Sequence, residues 1–221
     1  MIVAEQKPFA EIEERLEPYT RVMILGCKGC VTVCSAGGAK EVGILASALK
    51  LARAEQGRPI EITELTVERQ CDPEYLEPIA GKLGDAEVIL SMACGAGVQF
   101  TAERTMKLPV LPAVNTVFIG VAEQAGVYAE RCHACGNCKL AYTGGICPVA
   151  RCSKSILNGP CGGSSKGKCE ISEDVPCGWA LIVERLEALG AMHLYDEFMD
   201  VCDWSTARDG GPRRIVREDL E

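Results

Sequence analysis

Along the first 125 residues apolar positions recur with two different periods, and the two alternate. Residues 8–16 carry a short helical pattern opened by Pro8. Residues 21–25 (RVMIL) are a short apolar run, read as a buried strand. A helix is predicted over 38–56, where Val42, Leu45, Leu49 and Leu51 recur at helical spacing and Gly57-Arg58-Pro59 ends it. Residues 60–66 (IEITELT) alternate like a strand. Asp72-Pro73 caps a helix through about Leu83, because Asp accepts from free N–H groups and Pro suits the first turn. Residues 87–92 (EVILSM) read as the next strand, a helix follows to about Met106, and 114–119 read as a further strand. Alternation of this kind predicts an α/β fold with a small parallel, doubly wound sheet.

Beyond 125 both periods fade. Residues 126–180 hold glycine, proline and cysteine with little aliphatic material, so they read as an irregular, metal-stabilised domain. Residues 178–189 are an amphipathic helix with Leu181, Ile182, Leu186 and Leu189 on one side, stopped by Gly190. A second short helix is expected over 193–201. Residues 203–221 have no helical period. They read either as a chain end or as an arm along a partner, with Trp204 as anchor and the arginines pairing with carboxylates. The expected division is 1–125, 126–180 and 181–221.

Composition narrows the function classes. The 221 residues carry a net charge of −8, which argues against a nucleic-acid surface. No run of about 18 apolar residues is present, so no membrane span is expected. The N-terminal residues lack the apolar region of a secretory signal, so the expected compartment is the reducing cytoplasm. Eight of the fourteen cysteines fall between Cys132 and Cys177, and in that compartment thiols favour metal over disulfides.

The cysteines of the first domain follow the predicted strands. Cys27, Cys30 and Cys34 follow the first, Cys71 the second and Cys94 the third. An open parallel sheet collects ligands at the carboxyl ends of its strands, so these five thiols are expected on one rim. Cys27, Cys30 and Cys34 form a compact grip that Cys94 or Cys71 would complete, as for a [4Fe–4S] cluster or structural zinc. Gly26, Gly29, Gly95 and Gly97 give a cluster room and N–H donors. The competing reading makes some of these cysteines small buried hydrophobes.

In the second domain Cys132, Cys135 and Cys138 share two C-x-x-C steps, and Cys147 precedes Pro148, much as in the ferredoxin run. Cys152, Cys161, Cys169 and Cys177 make a second set of four. Eight thiols suffice for two centres, or for one cubane and one zinc, and spacing alone does not divide them. His133 reads as an exposed bystander.

The runs RCHACGNC at 131–138, TGGICPVARCSK at 143–154, NGPCGG at 158–163 and GKCE at 167–170 resemble the cysteine-rich methylenetetrahydrofolate reductase C-terminal domain. The loop GCKGCVTVCSAGG at 26–38, SMACG at 91–95, DWS at 203–205 and GGPRRIVREDL at 210–220 resemble the MetV subunit of acetogen-type methylenetetrahydrofolate reductase. The resemblance implies two or three [4Fe–4S] clusters, with zinc in place of one as an option. It also implies a flavin-bearing MetF-type partner that reduces 5,10-methylenetetrahydrofolate to 5-methyltetrahydrofolate in the methyl branch of the Wood–Ljungdahl pathway. The flavin and folate sites are expected on that partner. This chain is then a non-catalytic electron-transfer subunit, fed by a ferredoxin or a further donor subunit. The alternative is a zinc-containing docking subunit.

Overall fold

The computed structural model describes residues 1–220; Glu221, the last residue of the tail, lies outside them. The chain divides into two compact units, Met1–Ala129 and Glu130–Glu221.

The first unit opens with strand β1 (Ile2–Gln6) and helix α1 (Phe9–Leu16), then strand β2 (Arg21–Cys27). A short helical turn, α2 (Cys30–Val33), and the long helix α3 (Ala39–Glu55) lead to β3 (Glu61–Val67). Asp72 caps α4 (Pro73–Leu76), its carboxylate accepting from the Glu74 N–H at 3.2 Å; the chain then tightens into a 3₁₀ turn, Glu77–Lys82. Strand β4 (Val88–Ser91), helix α5 (Gly95–Arg104) and strand β5 (Val110–Pro112) complete a four-stranded sheet.

That sheet is parallel throughout, in the order β3-β2-β4-β5. Its central strands are continuous apolar runs because both faces are covered. Val22, Ile24, Val88 and Leu90 pack with Ile12 and Leu16 of α1 and Val42, Leu45 and Leu49 of α3. Met23, Leu25 and Ile89 face the other way, onto Leu76, Ile79 and Phe100. The chain leaves β2 toward β3 on one side and returns to β4 on the other. The order therefore reverses between β2 and β4, which is where an open α/β sheet forms a crevice at its carboxyl end.

The structure departs from the sequence reading at the end of the sheet. Residues 114–119 belong to a longer strand, β6 (Val114–Gln124), outside the parallel sheet: β1, β6 and β7 (Val127–Cys132) form a separate three-stranded sheet, with β1 antiparallel to β6. The reason is chain direction. Pro112 ends β5, and Ala113 turns the chain while its N–H still bonds to Ser91 O at 2.8 Å. The five-residue β1 and three-residue β5 carry too few positions to show a period.

The second unit has one small apolar centre. Helix α6 (Pro148–Arg151), the hairpin β8 (Lys168–Cys169) and β9 (Ser172–Pro176), and helix α7 (Gly178–Ala188) are its regular elements. Trp179, Ile182 and Leu186 of α7 pack with Cys177 and Met199. The Trp179 indole N–H donates to Ile156 O at 2.7 Å, and its ring meets Tyr195 edge-on. The helix expected over 193–201 is only a 3₁₀ turn, Met192–Tyr195, because Asn158 takes the Met199 backbone, accepting its N–H and donating to its carbonyl, both at 2.8 Å. No helix among the described residues is long and apolar enough to cross a membrane.

Candidate metal centres

All fourteen cysteines are free thiols. The first group lies at the crevice. Cys27 ends β2, Cys30 opens α2, Cys94 caps α5, and Cys71 follows β3. Cys71 is exposed, yet its thiol is pushed up, first by desolvation within its loop, then by the charges of Cys94 and Cys27 and, less, of Cys30. Four thiols from three loops are therefore in electrostatic reach of one another.

Cys34 is apart from them. It is buried with Cys27, Val31, Ala36 and Val114, and its Sγ donates to Cys30 O at 3.3 Å and Ile2 O at 3.6 Å. Cys27, Cys30 and Cys34 remain close in the chain, but the electrostatic neighbours of Cys71 are Cys94, Cys27 and Cys30, and Cys34 is not among them. The turn at Cys30–Val33 sets this, because a helical i, i+4 bond from Cys34 N–H to Cys30 O rotates Cys34 toward β1.

The sequence reading missed the residue that carries Cys71. Gln70, Ser91 and Thr101 are each 0% exposed. Gln70 Nε2 donates to Leu25 O at 2.8 Å, and its Oε1 accepts from Ser91 Oγ at 2.6 Å and Thr101 Oγ1 at 3.2 Å. Gln70 thus ties the Cys71 loop to β2, β4 and α5. Glycine makes the approach possible: a Cβ on Gly97 would lie 2.8 Å from Ala93 Cβ and 3.0 Å from Gln70 Cβ. Gln70 follows charged Glu68 and Arg69, so in sequence it reads as surface, and no local signal marks its burial.

In the second unit the two sets of four occupy separate hollows. Cys132, Cys135, Cys138 and Cys147 line a recess of about 220 Å³. Cys152, Cys161, Cys169 and Cys177 line a smaller one, with Cys161 exposed and Cys177 buried. His133 is exposed and lies 3.8 Å from the Glu130 carboxylate. Cys202, read from sequence as isolated, is 6% exposed; burial pushes its thiol up, against Lys139, and Cys135 and Cys147 push it further. It is a fifth thiol beside the first recess, reached from 64 residues away along the chain in the case of Cys138, a separation no local pattern reveals.

The partners of the sulfurs sort them. Cys132 Sγ accepts from Ala134 N–H at 3.4 Å and Cys147 Sγ from Ala150 N–H at 3.5 Å. Cys169 lies 3.4 Å from Ser153 Oγ; that hydroxyl and the Ile171 N–H hold its thiol below the ordinary value. At Cys169 these donors favour the thiolate, the form that binds metal. Cys27, Cys34 and Cys135 instead lie against carbonyl oxygens of Glu68, Ile2 and Asn137. Among the described residues no three His, Cys, Asp or Glu side chains stand where they could jointly hold a metal ion. The sets share hollows and charge rather than a common ligand point, but their donor chemistry, four sulfurs each, fits a thiolate-bound metal.

Residues 111–205 match the family described as methylene-tetrahydrofolate reductase C terminal. No curated protein and no solved structure matches the chain. The matched stretch starts within β5, takes in β6 and β7, and contains both hollows and Cys202. This part of the chain is similar to a domain of methylenetetrahydrofolate reductases.

Proposed function

We propose that this chain is an iron–sulfur electron-transfer subunit, of MetV type, acting beside a flavin-bearing MetF-type methylenetetrahydrofolate reductase subunit. The observation that carries the reading is that two sets of four cysteines each line one hollow inside the stretch similar to that reductase family, while Cys27, Cys30, Cys71 and Cys94 lie at the carboxyl end of the parallel sheet. A [4Fe–4S] centre held by such a group supplies one-electron transfer at a potential set by charge, hydrogen bonding and exposure. The residues of this chain would hold and tune it. Cys27, Cys30, Cys71 and Cys94 would hold one centre, with Gln70 fixing the Cys71 loop. Cys132, Cys135, Cys138 and Cys147 would hold another, with the Ala134 and Ala150 N–H groups directed at two of its sulfurs. Flavin and folate chemistry would belong to the partner, and the upstream donor would be a ferredoxin or a further subunit.

The third group favours zinc. Its four sulfurs line a hollow smaller than the first recess. Four thiolates closed around one ion is the structural zinc arrangement.

Anaerobic metal analysis with EPR on the full chain and on Cys30→Ala, Cys135→Ala and Cys169→Ala tests this. The first two variants are expected to lose one iron centre each, independently, and the third to lose zinc with iron retained. A wild-type chain filled with zinc and free of iron would reject the electron-transfer reading.

A further inference from the structure

We infer that residues 202–213 are a clasp that sets the shape of the 132–138 ligand loop, with Thr206 and Arg213 as positioning residues for the first recess of the second unit. This rests on reading Cys132, Cys135 and Cys138 as metal ligands.

Three thiols within seven residues face one centre only if the backbone between them turns sharply. It does so at two places. Ala134, between Cys132 and Cys135, has φ 51°, and Gly136, between Cys135 and Cys138, has φ 83°. For glycine the left-handed region is free, but for alanine it is strained. Something outside the loop must hold Ala134 there, and the segment 202–213 supplies it.

Arg213 Nη1 donates to Ala134 O at 2.8 Å and to Thr206 O at 2.8 Å. The Thr206 hydroxyl has Cys135 O at 2.9 Å and Asp203 O at 2.7 Å as acceptors for its one proton. The two carbonyls of the left-handed turn thus face one guanidinium and one shared hydroxyl. The contact is close: a Cβ on Gly136 would come within 2.6 Å of Thr206 O. The segment is itself shaped for this. Asp203 caps the turn at Trp204–Thr206, accepting from Ser205 N–H at 3.0 Å, and Ala207 and Cys202 are buried at its two ends. Both bonds come from one nitrogen, Nη1, whose two N–H groups are held in fixed directions by the planar guanidinium; a lysine at 213 would keep the charge and the donors without those fixed directions.

The test uses the full chain, reduced and metal-free, with Arg213→Ala, Thr206→Val, Arg213→Lys and, as control, the exposed Arg214→Ala. Hydrogen exchange at amides 134–138 is read first, and then anaerobic Co²⁺ titration, with protection of Cys132, Cys135 and Cys138 from alkylation assigning Co²⁺ to this recess. Arg213→Ala and Thr206→Val are expected to speed exchange at 134–138 at least tenfold. They should weaken Co²⁺ binding there by a similar factor and leave exchange in β2 and β4 unchanged. Arg213→Lys should recover part of both effects, and Arg214→Ala should match wild type. Wild-type exchange in both Arg213→Ala and Thr206→Val would overturn the clasp whatever the metal does. Faster exchange in the variants, with no Co²⁺ protection of these cysteines in wild type, would overturn the metal reading and with it the role of the clasp in a metal site.

Discussion

Gln70 Nε2 and the Leu25 carbonyl oxygen lie 2.8 Å apart, and that oxygen also accepts the Met92 N–H at 2.9 Å. One carbonyl at the end of β2 therefore joins the β2–β4 ladder to the loop that carries Cys71. Both polar ends of the Gln70 amide are used, in a site closed to water. A buried polar group whose partner is removed costs its full desolvation.

Gln70→Leu should accordingly destabilise the first unit by about 1–3 kcal/mol, since it strands the Ser91 and Thr101 hydroxyls and one bond to Leu25 O. Denaturant unfolding measures the loss. Cys71 should also become more reactive toward iodoacetamide than in wild type, because its loop is no longer tied to the sheet. Unchanged stability together with unchanged Cys71 reactivity would mean that Gln70 does not anchor the loop.

Two glycines near the crevice should respond to alanine in opposite ways. A Cβ on Gly37 would overlap the Met92 carbonyl at the end of β4, and Gly37 O accepts the Cys27 N–H at 2.9 Å. Gly37→Ala should cost about 1–3 kcal/mol and displace the Cys27 backbone. Gly43 lies inside α3, where the nearest atom to an added Cβ is Glu64 Oε2 at 3.7 Å. Gly43→Ala should stabilise by about 0.5–1 kcal/mol, the helix penalty of glycine. Thermal unfolding of both variants checks the contrast, and an equal effect of both would refute it.

The parts of this fold legible in sequence were those with enough length to show a period. The seventeen-residue helix α3 and the apolar strand β2 stand within a residue or two of their expected bounds. Strands β1 and β5, of five and three residues, were invisible for the opposite reason. Spacing placed the cysteines on loops after strands but did not choose among them. One helical turn directs Cys34 to the Ile2 carbonyl, and chain topology brings Cys71 within electrostatic reach of Cys94, Cys27 and Cys30, neither of which spacing shows. Gln70, Cys202 and Arg213 act across long sequence separations, so a local pattern carries no trace of them.

Asn158 offers a test of how the second unit closes. Its amide pairs twice with the Met199 backbone, donor to acceptor and acceptor to donor. Asn158→Ala should cost roughly 1–3 kcal/mol. Asn158→Asp keeps only the bond from Met199 N–H and sets a carboxylate against Met199 O, so it should be no better than alanine at pH 7. Urea unfolding of the second unit, followed by Trp179 fluorescence, reads both. Wild-type stability in the aspartate variant would show that the donated bond contributes nothing.

Thiol titration separates two candidate ligands by sign. Desolvation, then the neighbouring Cys94 and Cys27, raise Cys71, because each disfavours its thiolate. The Ser153 hydroxyl, then the Ile171 N–H, lower Cys169, because each donates to its thiolate. Alkylation consumes the thiolate. In the metal-free reduced chain the iodoacetamide rate at Cys169 should therefore reach half its maximum at a lower pH than at Cys71, with the ordinary cysteine value of about 8.5 between them. Ser153→Ala removes the main lowering partner and should move the Cys169 midpoint upward without moving that of Cys71. Peptide-resolved mass spectrometry across the pH series reads both midpoints. An inverted order, or a Cys169 midpoint indifferent to Ser153→Ala, would contradict the hydrogen-bond account of this sulfur.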